Sequence, residues 1–145
     1  MSKILVAITL LGATCVAAQE LPGRHPGYYQ AISDLIWARA ILKAGFDQGP
    51  AGADEQRAVG EITAAMVAIH SADLQNGNNA PGQQNPDVQY PPAERFHRVL
   101  ELLSRARKEI GHEEDNPDAR RLRNSAWMHI DAAVSNVRDA QNYWR

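Results

Sequence analysis

Ala93-Glu94-Arg95-Phe96-His97-Arg98-Val99-Leu100-Glu101-Leu102-Leu103-Ser104-Arg105-Ala106-Arg107-Lys108-Glu109-Ile110-Gly111 decides the fold. Phe96, Val99, Leu103, Ala106 and Ile110 recur at steps of three and four, thickened by Leu100 and Leu102. That period places one apolar seam on a helix. The polar positions between them carry Glu101 to Arg105 and Arg105 to Glu109, charge pairs at the four-residue spacing that supports a helix surface. A helix over about 93–111 follows.

Three more segments share this pattern. The first, about 27–44, opens at His25-Pro26, with proline near the first helical position. Its stripe is Tyr28, Ile32, Leu35, Arg39 and Leu42, flanked by Ala31, Ile36 and Ala38, and Gly45 is its stop. Gly49-Pro50-Ala51-Gly52 reads as loop. The second, about 54–74, starts with Asp54 and Glu55 at the positive helix end. Val59, Ile62, Met66 and Ile69 form its stripe, and Ala58, Ala65 and Ala72 permit close helix approach. Residues 75–92, rich in Asn, Gln, Gly and Pro, have little to bury and read as one long surface loop, a disordered crossover or alternatively a cap over one bundle end. After Glu113-Glu114-Asp115-Asn116-Pro117, with Asn116 as cap and Pro117 at the first helical position, the last helix runs over 117–142. Leu122, Ala126, Ile130, Ala133, Val137 and Ala140 face inward there. No strand pattern appears. The expectation is an all-α antiparallel four-helix bundle, with Leu35, Ile69, Leu103 and Ile130 as core anchors.

The first eighteen residues have a different character. Met1-Ser2-Lys3 is a short positive start, Ile4 to Val16 is apolar, and Val16-Ala17-Ala18 sets small residues before Gln19. This is the layout of a cleaved secretory signal peptide, and the run is too short to cross a bilayer. Residues 1–18 are therefore read as signal peptide and 19–145 as a single helical-bundle domain in a periplasmic or secreted protein. No transmembrane segment remains in that mature chain. Cys15, the only cysteine, leaves with the signal, so disulfides, thiolate metal sites and cysteine nucleophiles are excluded from it. Thr14 before Cys15 fits lipoprotein processing badly. Fifteen basic and seventeen acidic residues are interleaved. Nucleic-acid binding needs a concentrated basic face, which is missing.

Histidines are the natural place to look for chemistry. Glu94-x-x-His97 and Glu109-x-x-His112 have the spacing of carboxylate-bridged di-iron bundles, but both lie on one helix where two helices must each supply a copy. Met66 and Met128 are core methionines by default, with no histidine paired opposite in register as a haem would need. His25 and His97 are weak metal candidates: in a simple up-down bundle the starts of helices one and three share an end, with His112 at the other. No cofactor is expected. More telling are four polar residues on or beside apolar stripes: Asp34, Arg39, Glu61 and His129. Antiparallel register puts all four near mid-bundle, as an ion-pair network or as a ligand-binding cluster. Buried charge must be compensated, so Arg39 is expected to bond Asp34 or Glu61.

His25-Pro26-x-Tyr28-x-x-Ala31-x-Ser33-Asp34-Leu35-x-x-Ala38-Arg39 resembles the opening of a family of small exported bacterial helical-bundle proteins. The likeness extends to Glu61-Ile62, to Leu100-Glu101-Leu102-Leu103, to Glu113-Glu114-Asp115-Asn116 and to His129-Ile130-Asp131-x-Ala133. It implies export and a bundle, and no established activity. The leading functional reading is an exported non-enzymatic bundle with a binding or envelope-accessory role. The alternative is a periplasmic metal- or small-ligand-binding bundle. Partner and oligomeric state are not legible.

Overall fold

Every segment with helical period forms a helix. The computed structural model describes residues 25, 27–46, 49–77, 90–112 and 114–144. The signal-peptide and lipidation expectations at 1–18 lie outside these residues, as do Pro26 and most of the 75–92 loop. The chain runs α1 (Tyr28–Ala44), α2 (Pro50–Gln75), α3 (Pro92–Glu109) and α4 (Pro117–Asn142), with no strand among the described residues. No helix among them is long and apolar enough to cross a membrane.

The helix ends follow local chemistry. Asn116 caps α4, its side-chain oxygen accepting from Asp118 N at 3.0 Å and Ala119 N at 3.3 Å. Gly45 closes α1, its N–H donating to Leu42 O at 3.2 Å. The start of α2 differs from expectation. Gly49-Pro50-Ala51-Gly52 is not loop throughout, because Pro50 takes the first helical turn, where its missing N–H costs nothing, and Ala51 and Gly52 are buried there.

Connectivity is the main surprise. The broadest interfaces are α2 with α4 and α1 with α3; α1 touches α2 and α3 touches α4 less extensively. Thus α1 and α4 are diagonal, as are α2 and α3. Against α1, α3 runs antiparallel: Gly27 abuts Glu109, Asp34 meets Arg105, and Gly45 abuts Arg95. Against α2, α4 also runs antiparallel, from Asn116–Gln75 to His129–Glu61. Consequently α2 and α3 are parallel, and the connection from Gly77 to Tyr90 joins opposite ends of the bundle. That is the single-crossover class of four-helix bundle. Thirteen peptide steps reach about 45 Å, ample for helices of about 27–39 Å.

Close packing of α2 on α4 has a compositional cause. Ala51, Ala58, Ala65 and Ala72 recur every seventh residue on α2, and Ala119, Ala126, Ala133 and Ala140 do so on α4, all buried. Ile62, Ile69, Ile130 and Val137 fill the alternate seam positions and are fully buried. A seven-residue repeat with small residues at one seam position brings two backbones together along their length. Leu35, Ile69, Leu103 and Ile130 are all core. Val59, Met66 and Leu122 are only partly buried, at the edge of that core.

Candidate functional site

The polar residues settle into separate sites. At the end where α1 starts, the chain leaving α3 turns back over α2. Asn116, while capping α4, donates its own N–H to Glu114 Oε1 at 3.1 Å and its side-chain amide to Gln75 O at 3.1 Å. This folds Glu114 inward, where Tyr28 Oη donates to Oε2 at 2.7 Å and Asn76 Nδ2 donates to the same atom at 3.0 Å. One buried carboxylate thereby ties α1, the end of α2 and the α3–α4 turn together. Burial alone pushes the Glu114 carboxyl up, but bonds from Tyr28, Asn76 and Asn116 outweigh it and hold it below its ordinary value. Burial first, and then the bond to Glu114, raises the Tyr28 phenol far above its usual range, so Tyr28 stays a neutral donor.

His25 lies flat on Tyr28, ring centres 3.8 Å apart. Its Nδ1 accepts from Gly27 N at 3.2 Å, which leaves Nε2 to carry the proton and donate to His112 O at 3.2 Å. Burial pushes the His25 pKa down. Both ring nitrogens are engaged within the protein. His97 is exposed on the first turns of α3, at the other end of the bundle. The expected approach of His25 to His97 is therefore wrong, because the crossover inverts α3 and brings His112 to His25 instead, rings 6.1 Å apart. Among the described residues no group of three His, Cys, Asp or Glu side chains is placed to hold a metal ion.

Of the four mid-bundle candidates, Glu61 and His129 come together: His129 Nδ1 lies 2.7 Å from Glu61 Oε2, both half-buried between α2 and α4. Asp34 belongs to the opposite interface. It is buried, and Arg105 of α3 grips it through Nε at 3.1 Å and through Nη2. Arg39 is half-buried and partnered. Asp34 and the Glu61–His129 pair thus lie on different interfaces, α1/α3 and α2/α4, because α1 and α4 are diagonal. At the far end Arg95 of α3 crosses to Glu55 of α2 in a fully buried pair at 2.5 Å.

One surface stands out. The inner row of α2 is Ala58, Ile62, Ala65, Ile69 and Ala72; two residues on, Gly60, Ala64, Val67, Ser71 and Leu74 repeat the same spacing. Two residues rotate a helix by about 200°, so this second row occupies the opposite face. Val67 is 62% exposed and Leu74 49%. Thr63 and Ser71 turn their hydroxyls back to Val59 O and Val67 O, both at 2.8 Å, which leaves that face apolar. With Leu122, Ser125 and His129 of α4, the row borders a shallow open groove.

The chain matches no known family model, no curated protein and no solved structure. Tyr28, Asn76 and Glu114 were not expected as a site. Arg105, read as a helix-surface pair with Glu101 and Glu109, supplies the cation Asp34 needs. The outer row of α2 was legible as a second four-three spacing, hidden because the inner stripe accounts for the helix by itself.

Proposed function

We propose that the chain is an exported, non-enzymatic bundle that acts by binding a partner helix along the outer row of α2. The observation that carries this reading is the two-faced α2: an exposed row with the same seven-residue spacing as its buried one. Such spacing fits another helix, since side chains repeating every 3.5 residues meet a helical partner along its length. The buried ionisable groups support a scaffold role. Glu114, Asp34 and Glu55 are each buried and bonded inside the fold. Residues 1–18, as a signal peptide, would deliver the bundle to the periplasm or beyond.

A photo-crosslinking residue at Val67, introduced in the native host, tests this directly. A protein adduct at Val67, absent when the same residue replaces exposed Ser104 on α3, is expected. No adduct at Val67 overturns the reading. Small-ligand binding is the second reading, favoured by the half-exposed Glu61–His129 pair beside the same groove. Zinc or copper protecting His129 from chemical modification, with loss on Glu61→Gln, would support it.

A further inference from the structure

We infer that the helix filling the outer row of α2 is α2 of a second copy, packed antiparallel about a two-fold axis at Val67. This rests on the reading of that row as a helix-binding face. Side-chain size selects the occupant. Antiparallel pairing about Val67 sets Gly60 opposite Leu74, Ala64 opposite Ser71, and Val67 opposite itself. The smallest residue of the row meets the largest, at both ends of the contact by symmetry. A Cβ at Gly60 would have no atom within 4 Å, so there is open space for the incoming leucine. Parallel pairing would instead face glycine with glycine and leucine with leucine, leaving a void at one end and crowding the other. An isologous contact needs such self-complementarity, and this row has it.

Charge points the same way. Between Gly60 and Gly77, Asp73 is buried and partnered, and Glu61 is the only charged side chain beside the row. In the antiparallel register Glu61 faces the amide of Gln75, and Thr63 faces His70. No like charges meet. A strongly charged helix would find few counter-charges along the α2 row, whereas a copy of the same near-neutral row needs none.

The contact spans two heptads, about 21 Å. An isolated helix that short is marginal, but α2 is already held by the bundle, so no nucleation cost falls on association. A contact of this size gives a weak, concentration-dependent dimer.

Cysteine scanning provides the test, because Cys15 is the only native thiol. In the full chain carrying Cys15→Ser, Val67→Cys lies on the axis and is expected to form a disulfide dimer at least about tenfold faster than Ser104→Cys. Gly60→Cys and Leu74→Cys should each dimerise slowly alone and rapidly when mixed. Val67→Arg, with unchanged helical circular dichroism, should be monomeric in light scattering at concentrations where the parent self-associates. Equal rates at Val67 and Ser104, or Gly60→Cys pairing best with itself, overturn the two-fold arrangement. If Val67 still crosslinks a different protein in the native host, the helix-binding reading survives and only the second copy fails.

Discussion

Tyr28 and Glu114, 86 residues apart in the chain, share a buried 2.7 Å hydrogen bond. The bond fastens the first turn of α1 to the turn that launches α4, two helices that face each other only across the diagonal. His25 covers the phenol ring, so one short motif supplies both the donor and its lid.

Acid should loosen this end in two stages. The folded His25 pKa lies below its ordinary 6.5, so the stability it contributes is complete above that value and is lost as pH falls below it. Protonation would place a second N–H against the Gly27 N–H, within reach of Glu114, His112 and Arg123. The folded Glu114 value lies below the ordinary 4.5, so its share is present above that pH and lost as pH falls through the folded value. Melting temperature should be level above about pH 7 and then fall in both windows. His25→Phe should remove the first fall and leave the second. A melting temperature that rises from pH 7 to 5 would contradict the assigned tautomer.

Tyr28→Phe takes one donor from a buried carboxylate without changing shape. It should cost about 1–3 kcal/mol in denaturant unfolding at pH 7. It should cost much less once Glu114 is protonated in acid. Equal cost at both pH values would show that the bond does not carry the effect.

At the far end, Arg95→Met leaves Glu55 buried without its guanidinium and should cost about 3–5 kcal/mol. Adding Glu55→Leu should recover most of that loss, because matched apolar residues replace a buried ion pair with little net penalty. Non-recovery in the double variant would show that packing, rather than charge, is the cause.

Two glycines should respond in opposite ways. A Cβ on Gly27 would strike the Glu109 backbone carbonyl, which has no rotamer by which to move aside, so Gly27→Ala should separate α1 from α3 and lower the melting temperature sharply. Gly60→Ala meets nothing and should stabilise by about 0.5–1 kcal/mol through helix propensity. Thermal unfolding at a concentration too low for self-association checks both.

Ile69→Ala and Leu103→Ala, each at a fully buried position, should cost about 2–5 kcal/mol by chemical denaturation.

Local structure was open to reading because its causes are local. The stripe of Phe96, Val99, Leu103 and Ala106, the Asn116-Pro117 start and the Gly45 stop each act within a few residues, and the helices follow them. Neighbour choice was not legible. A helical stripe says that a face is buried and is silent on which helix buries it. Hence Arg39 was expected to bond Asp34 or Glu61, when Asp34 is gripped by Arg105 on α3 and Glu61 meets His129 on α4. The length of the 75–92 segment was the one hint of a crossover, since an antiparallel turn needs far fewer residues. The Tyr28–Glu114 site was missed because it depends wholly on that inverted third helix.

The crossover also orders events in time. Each helix finds its broadest interface with a helix two places away in sequence, α1 with α3 and α2 with α4. A chain emerging from its N-terminal end holds α1 and α2 without either principal partner, and α2 must wait for the last helix made. Distant pairing of this kind slows folding relative to bundles built from neighbouring hairpins. A chain that cannot collapse into its final core until its last residues arrive leaves the alanine and isoleucine seam of α2 uncovered for the whole of its synthesis.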